Sequence, residues 1–258
     1  MAGKALMNRS ARRITKSDSI VLELKRLTKQ PYYQDISFTL YKGEILGIFG
    51  LVGSGRVEVA QSIFGAIPFD SGQTLLDEKE ITIRHPSQAL RYGIAYIPRD
   101  RKVEGLFGIM TVLENLTISI VKKLSRFKFF VDIKRERRFG TQAVQDTSIK
   151  IPSLQAKVTA LSGGNQQKVV LARWLAQNPA ILILAEPTRG IDVASKEEIH
   201  NRIYDLASQG ISIIVISSEL PEVLKLSDRI LVMHSGRITE QFQQGEADST
   251  TILKAAIG

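Results

Sequence analysis

The stretch Ile45-Leu46-Gly47-Ile48-Phe49-Gly50-Leu51-Val52-Gly53-Ser54-Gly55-Arg56-Val57 constrains the fold more than any other part of the chain. A short apolar run of strand length passes directly into closely spaced glycines, and a helix-forming stretch follows from about Glu58. Glycine admits the positive-φ conformations that turn consecutive backbone N–H groups inward. A helix N-terminus behind such a turn adds its own unpaired N–H groups, so the arrangement suits an anion. Standing alone, the same pattern reads equally as a glycine-rich turn that holds nothing.

The rest of the chain extends the pattern. Val21–Leu24, Ile36–Leu40, Ile45–Phe49, Gly93–Ile97, Ile181–Leu184, Ile211–Ile216 and Arg229–Met233 are short apolar runs of strand length. Helical stretches lie among them at Val57–Phe64, Gly164–Gln177, Lys196–Gln209 and Leu220–Leu226. That alternation predicts an α/β fold, a parallel sheet with crossover helices. Residues 100–178 break the rhythm with charged, mostly helical sequence and are expected to form an inserted helical subdomain. Residues 1–19 are polar and basic without apolar periodicity, which predicts a linker or disordered tail ahead of a domain over 20–258.

The net charge of +9 is concentrated rather than spread. Residues 1–17 carry five basic and no acidic side chains, and residues 122–138 carry eight basic and two acidic ones, which leaves the remainder slightly acidic. A basic tail and one basic surface stretch fit a tether or a membrane-side partner at least as well as a nucleic-acid groove, so nucleic acid is the disfavoured partner. The chain has no cysteine, and its three histidines (His85, His200, His234) are scattered, so no metal-ligand set is expected from these residue types. No apolar run approaches the ~18 residues of a membrane span, and the N-terminus lacks a signal-peptide block, which predicts a soluble, cytoplasmic chain.

Read as chemistry, Gly50, Gly53, Ser54, Gly55, Arg56 and Val57 have the layout of a P-loop with its last two positions altered. A lysine there normally reaches the β- and γ-phosphates and a Ser or Thr hydroxyl binds Mg²⁺. Arg56 can still donate to phosphate, although as a planar fork, whereas Val57 offers no oxygen to a metal. About 110 residues later, Leu161-Ser162-Gly163-Gly164-Asn165-Gln166-Gln167-Lys168 opens a helix. The octamer closely resembles the LSGGQ signature of ATP-binding cassette (ABC) proteins, in the LSGGNQQK form of ATPase subunits from bacterial monosaccharide importers. Serine and glycine amides at a helix N-terminus form a second anion site, suited to the γ-phosphate of a nucleotide on a facing domain.

The resemblance covers about Ile20 to the C-terminus. It implies a P-loop NTPase of ABC type, with a mostly parallel core sheet, an antiparallel β subdomain and the inserted helical subdomain. Ile181 to Asp192 then resembles the Walker B strand running into the D-loop. Ala185 stands where family members hold an Mg²⁺-binding Asp, Glu186 where a carboxylate polarises the attacking water, and Asp192 at the D-loop contact with the facing domain. Arg99 occupies the Q-loop position, and Ser218 the switch position that carries His in other cassettes. Tyr32 or Tyr33 would be the adenine-stacking aromatic, although both equally suit packing.

By the same resemblance the chain corresponds to the second half of a two-cassette subunit. The implied cofactor is ATP, with Mg²⁺ weak or absent at this chain's own P-loop. The implied partners are the first-half cassette or a second cassette, a membrane permease for a sugar and, indirectly, a periplasmic sugar-binding protein. The implied location is peripheral on the inner face of the cell membrane. The signature would complete the partner half's ATP site while the local site turns over slowly. Two alternatives remain open: a fully competent ATPase using Glu186 as base, and a soluble cassette acting on ribosomes or nucleic acid.

Overall fold

The structure is a computed structural model that describes residues 19–126 and 130–258. Residues 1–18, which make up all but the last residue of the expected basic tail, lie outside the described residues.

A six-stranded sheet forms the centre. It contains β3 (Ile45–Gly50), β6 (Ile94–Ile97), β9 (Ile181–Ala185), β10 (Ser212–Ser217), β11 (Arg229–His234) and β12 (Arg237–Gln243), in the order β12-β11-β3-β10-β9-β6. All neighbours are parallel except β11 and β12, which form a hairpin. Ile213, Val215 and Ser217 of β10 pair with Ile45, Gly47 and Phe49 of β3, while Ser212, Ile214 and Ile216 pair with Ile181, Ile183 and Ala185 of β9. Every residue of β3, β6, β9 and β10 is buried, which is why these runs are continuously apolar rather than alternating.

Helix α1 (Arg56–Ile63) lies against one face of the sheet, where Val59, Ala60 and Ile63 join Leu46, Ile48, Ile183 and Ile214. Helix α7 (Val193–Ser208) lies against the other, where Ile199, Ile203 and Leu206 meet Ile45, Leu182, Leu184 and Val215. Helices α8 (Leu220–Leu226) and α9 (Ser249–Ile257) cover the β11 end, and α2 (Pro86–Arg91) contacts the β6 edge. A second sheet, order β2-β1-β4-β5, is wholly antiparallel: β1 (Ile20–Lys29), β2 (Tyr33–Tyr41), β4 (Ser71–Leu76) and β5 (Lys79–Ile81). It is the expected antiparallel subdomain.

Between β6 and β9 the chain forms α3 (Val112–Thr117), α4 (Val121–Leu124), the short pair β7 (Ser125–Arg126) and β8 (Phe130–Val131), α5 (Ile133–Asp146) and α6 (Gly163–Leu175). Val112, Leu116, Ile149, Val158, Leu161 and Val169 form an apolar cluster here, distinct from the central ones. Helix α6 belongs to both: its Val169 faces this cluster, while Val170 and Leu171 pack on the central sheet. No helix among the described residues is long and apolar enough to cross a membrane.

One buried ion pair joins the two sheets. Arg229 at the start of β11 donates to both carboxylate oxygens of Glu44 (2.8 and 3.0 Å) and to the Thr39 carbonyl of β2 (2.5 Å). Glu44 also accepts from the Tyr41 N–H at 2.8 Å. Removing one member of a buried pair strands the other charge, so Arg229→Ala is expected to lower stability by about 3–5 kcal/mol. Urea unfolding of the two proteins checks this, and a midpoint unchanged from the parent would contradict it.

Candidate functional site

The glycine loop leaves the C-terminal end of β3 near the middle of the sheet, where parallel α/β folds open their ligand crevices. Gly53 and Gly55 both have φ +87°, and Gly55 is the N-terminal cap of α1. A Cβ at Gly55 would stand 2.3 Å from the Tyr32 carbonyl oxygen, so backbone approach as well as φ requires glycine there. The turn between β11 and β12 supports the loop, since the Gly236 N–H donates to the Ser54 carbonyl at 3.1 Å. Leu51 and Val52 form an exposed crown, and Ser54 beneath it is buried.

Arg56 is buried in the first turn of α1, and its guanidinium is committed within the protein. Nη1 donates to the Leu51 carbonyl at 2.5 Å, and Nη2 donates to Glu186 Oε1 at 2.8 Å. Glu186 follows β9 directly, is 5% exposed, and sits at φ +50°. Its N–H donates to the Ile216 carbonyl at 2.7 Å, which helps hold that sparsely populated conformation. Its carboxylate also accepts from the Ser218 N–H (3.1 and 3.2 Å) and the Ser218 Oγ (3.1 Å). The ends of β3, β10 and β9 thus bring Arg56, Ser218 and Glu186 into one hydrogen-bonded cluster, with β10 between the other two strands.

The altered positions lie around this cluster. Ala185 is fully buried, and Val57 is partly buried against the core. Neither offers an oxygen ligand. The Nε of Arg99, just beyond β6, is buried without a hydrogen-bond partner. Among the described residues no group of three or more His, Cys, Asp or Glu side chains could hold a metal ion.

The two tyrosines separate. Tyr33 is 1% exposed, donates from its hydroxyl to Ser62 Oγ at 2.5 Å, and has its pKa pushed up to about 12 by burial. It is a core residue. Tyr32 is 47% exposed, with its carbonyl against Gly55 of the glycine loop.

The signature opens α6 with Ser162 as the exposed N-cap residue, and Ser162 Oγ accepts from Asn165 Nδ2 at 2.9 Å. Gly163 is half-buried and Gly164 is buried, whereas Leu161 and Gln166 turn inward. Gln166 donates to the carbonyls of Val158 (3.3 Å) and Leu161 (3.1 Å), so it braces the turn rather than presenting itself to solvent. The signature packs on the D-loop of its own chain: a Cβ at Gly163 would lie 3.1 Å from the Gly190 carbonyl oxygen, and one at Gly164 would lie 2.2 Å from Ser195 Oγ. Among the described residues, the side-chain hydrogen bonds made by Ser162–Gln166 stay within 150–166 and do not reach 50–57. Asp192 is exposed and caps α7, accepting from Ser195 N–H (2.9 Å) and Oγ (2.8 Å), with its pKa held low chiefly by that backbone bond.

Several participants were invisible to motif reading. Glu222 of α8 is buried, yet the hydrogen bonds from His200, Thr188 and Ser217 outweigh that burial and hold its carboxyl below the usual range. Thr188 Oγ1 donates to it at 2.6 Å and His200 Nε2 lies 2.9 Å away, which anchors the segment after Glu186 to α7 and α8. Arg101 bonds the D-loop carbonyls of Arg189 (2.6 Å) and Gly190 (3.0 Å). These contacts join residues far apart in the chain and left no signal in the linear motifs.

Residues 33–189 match the family model described as ABC transporter. The chain is 45% identical over its whole length to the ribose import ATP-binding protein RbsA of Geobacillus kaustophilus, of which it covers 52%. It is 49% identical over 232 residues, 90% of the chain, to the xylose import ATP-binding protein XylG of the same strain, of which it covers 46%. The chain therefore spans about half the length of the curated relatives it matches. Among solved structures, the nucleotide-binding cassette MJ1267 of an ABC transporter superposes with a TM-score of 0.79 at 24% identity, covering 93% of this chain and 99% of that one. The cassette MJ0796, solved as a dimer with ADP and phosphate, superposes with a TM-score of 0.72 at 20% identity, covering 86% and 98%. With its fold, its glycine loop and its signature turn in place, the chain belongs to the ABC transporter family.

Proposed function

We propose that this chain is one cassette of an asymmetric pair that couples ATP to sugar import through a membrane permease. Its signature serves the nucleotide of the facing cassette, and its own P-loop binds nucleotide with little help from Mg²⁺ and turns it over slowly. The observation that carries the reading is the contrast between the two ends of the molecule. Ser162 and Gly163 stand at an accessible helix N-terminus, whereas the positions around the P-loop that would hold a metal are Val57, Ala185 and Arg99. The residues present do not fit a magnesium shell, so no step at this P-loop is routed through the metal.

The loop amides and Arg56 still suit phosphate. A phosphate oxygen would compete with Glu186 for the guanidinium, and charge-assisted bonds of this kind are strong in a water-poor site. Tyr32 is the aromatic available to adenine. Glu186, tied to Arg56 and Ser218, is poorly placed to act as a general base until that competition frees it. The importers named for ribose and xylose among its relatives support a sugar as cargo, and the dimeric MJ0796 supports pairing with a second cassette.

Two measurements test the reading. The double substitution Val57→Thr with Ala185→Asp is expected to raise the chain's own ATP turnover by about tenfold or more and to make it depend on Mg²⁺, a lowering of the barrier by at least ~1.4 kcal/mol. Turnover that begins high and does not respond would favour the competent ATPase instead. Secondly, Ser162→Arg, assayed in the two-cassette subunit, should depress turnover at the facing P-loop while leaving nucleotide binding at residues 50–57 intact. Equal loss at both sites would contradict the division of labour.

A further inference from the structure

Arg101 lies just beyond β6, at the start of a π-helical turn spanning Arg101–Gly105. Asp100 sets the direction of that turn by accepting from the N–H groups of Lys102 (3.0 Å) and Val103 (3.2 Å). From there the Arg101 guanidinium reaches back to residues that are 88 and 89 positions later in the chain, donating Nη1 to Arg189 O at 2.6 Å and Nη2 to Gly190 O at 3.0 Å. The same Nη2 lies 2.6 Å from the place a Cβ at Gly163 would occupy. A side chain at 163 would therefore collide with this arm, and glycine there lets the guanidinium, the D-loop and the signature turn share one spot.

The far end of the same segment is held from the other end of the signature helix. Arg173 of α6 is 4% exposed and donates to Gly105 O (2.5 Å), Asn115 O (2.5 Å) and Asn115 Oδ1 (2.6 Å), with its guanidinium over the Phe107 ring at 5.4 Å. Burial lowers its pKa only to about 10, so it stays charged at neutral pH. Residues 101–107 are thus gripped at one end beside Gly163 and at the other by Arg173, and Arg101 extends that grip to the D-loop.

We infer that Arg101 is a positioning residue that locks the 189–192 turn to Ser162–Gly163, so that D-loop and signature face the opposite cassette's nucleotide as one surface and follow any movement of segment 99–107. The inference rests on the proposed role of the signature, and it adds the residue that would transmit a displacement near Arg99 to it. The fork geometry matters: a guanidinium can hold two successive carbonyls at once, whereas a lysine ammonium is a point charge on a flexible stem and would hold one of them at a time.

Amide hydrogen exchange on this chain reads the lock directly. Three hydrogen-bonded amides flank it: Arg189 (to Glu186 O, 3.2 Å), Ser195 (to Asp192 Oδ1, 2.9 Å) and Gln166 (to Ser162 O, 2.9 Å). Arg101→Ala should speed their exchange by about tenfold, the loss of two hydrogen bonds, with amides of β3 and β10 unchanged and Arg101→Lys intermediate. In the two-cassette subunit, Arg101→Ala should lower kcat at the facing site while KM for ATP stays within about twofold, with part of kcat recovered in Arg101→Lys. Unchanged exchange at the three amides overturns the lock, and faster exchange with an unaltered kcat overturns its positioning role. If Ser162→Arg also leaves kcat unaltered, the failure belongs to the proposed role of the signature, because exchange reports on the lock without reference to it.

Discussion

Arg56 and Glu186 leave the ends of two strands that are not neighbours, and their 2.8 Å contact spans the width of β10 between them. Both side chains are almost wholly buried, at 3% and 4% exposure. Taking two charges out of water costs several kcal/mol each unless the remaining donors and acceptors are matched. Here most are: Leu51 O takes a second guanidinium nitrogen, and Ser218 supplies an N–H and a hydroxyl to the carboxylate, while Arg56 Nε is buried without a partner. The glycine loop, the segment after β9 and the switch position after β10 are therefore set by one cluster. A lysine in place of Arg56 would offer a compact ammonium without the fork that now bridges loop carbonyl and carboxylate.

That cluster depends on the surrounding fold for its placement. Parallel pairing of β3, β10 and β9 delivers all three loops to one sheet edge, and helices on both faces bury the strands. The Arg229–Glu44 pair fixes the antiparallel sheet to the core at the Thr39 end of β2, and at its other end Gly236 bridges Gln34 and Ser54, next to Tyr32. The signature is held through α6 and the D-loop, and the D-loop follows directly from Glu186 of the cluster, with the Arg189 N–H bonded to the Glu186 carbonyl. One chain thus carries two helix N-termini that open on glycine turns, at Gly55 and at Ser162, and the proposed asymmetry rests on the residues at positions 57, 99 and 185.

Much of this was legible in the residues themselves. The seven apolar runs became β1, β2, β3, β6, β9, β10 and β11; the five in the central sheet are continuously apolar because parallel strands are buried on both faces, whereas β1 and β2 are antiparallel with one face covered, and Leu220–Leu226 appeared as a helix with those same limits. Strand β12 escaped notice because it is an exposed edge, Arg-Ile-Thr-Glu-Gln-Phe-Gln, whose pairing with β11 is set by the Ser235-Gly236 turn rather than by its apolar content. β4, with Gly72 at φ +106° near its start, was obscured for a similar reason. At the site, motif spacing carried no information on orientation: Gln166 and Leu161 face inward, Tyr33 is core, and Ser218 bonds Glu186. Those outcomes depend on which strand lies between which others, and a linear pattern does not carry that order. The Arg101 contacts fall in the same class, joining residues 88 and 89 positions apart.

We propose above all that the amides of residues 50–57 and the Arg56 guanidinium hold nucleotide phosphate without a metal. Titration of this chain with an ATP analogue, once with Mg²⁺ and once with a chelator, tests it most directly. The account predicts dissociation constants that agree within about threefold, a difference under ~0.7 kcal/mol. Affinity that tightens by about tenfold or more when Mg²⁺ is added would show that other residues supply the missing ligands, and would contradict it.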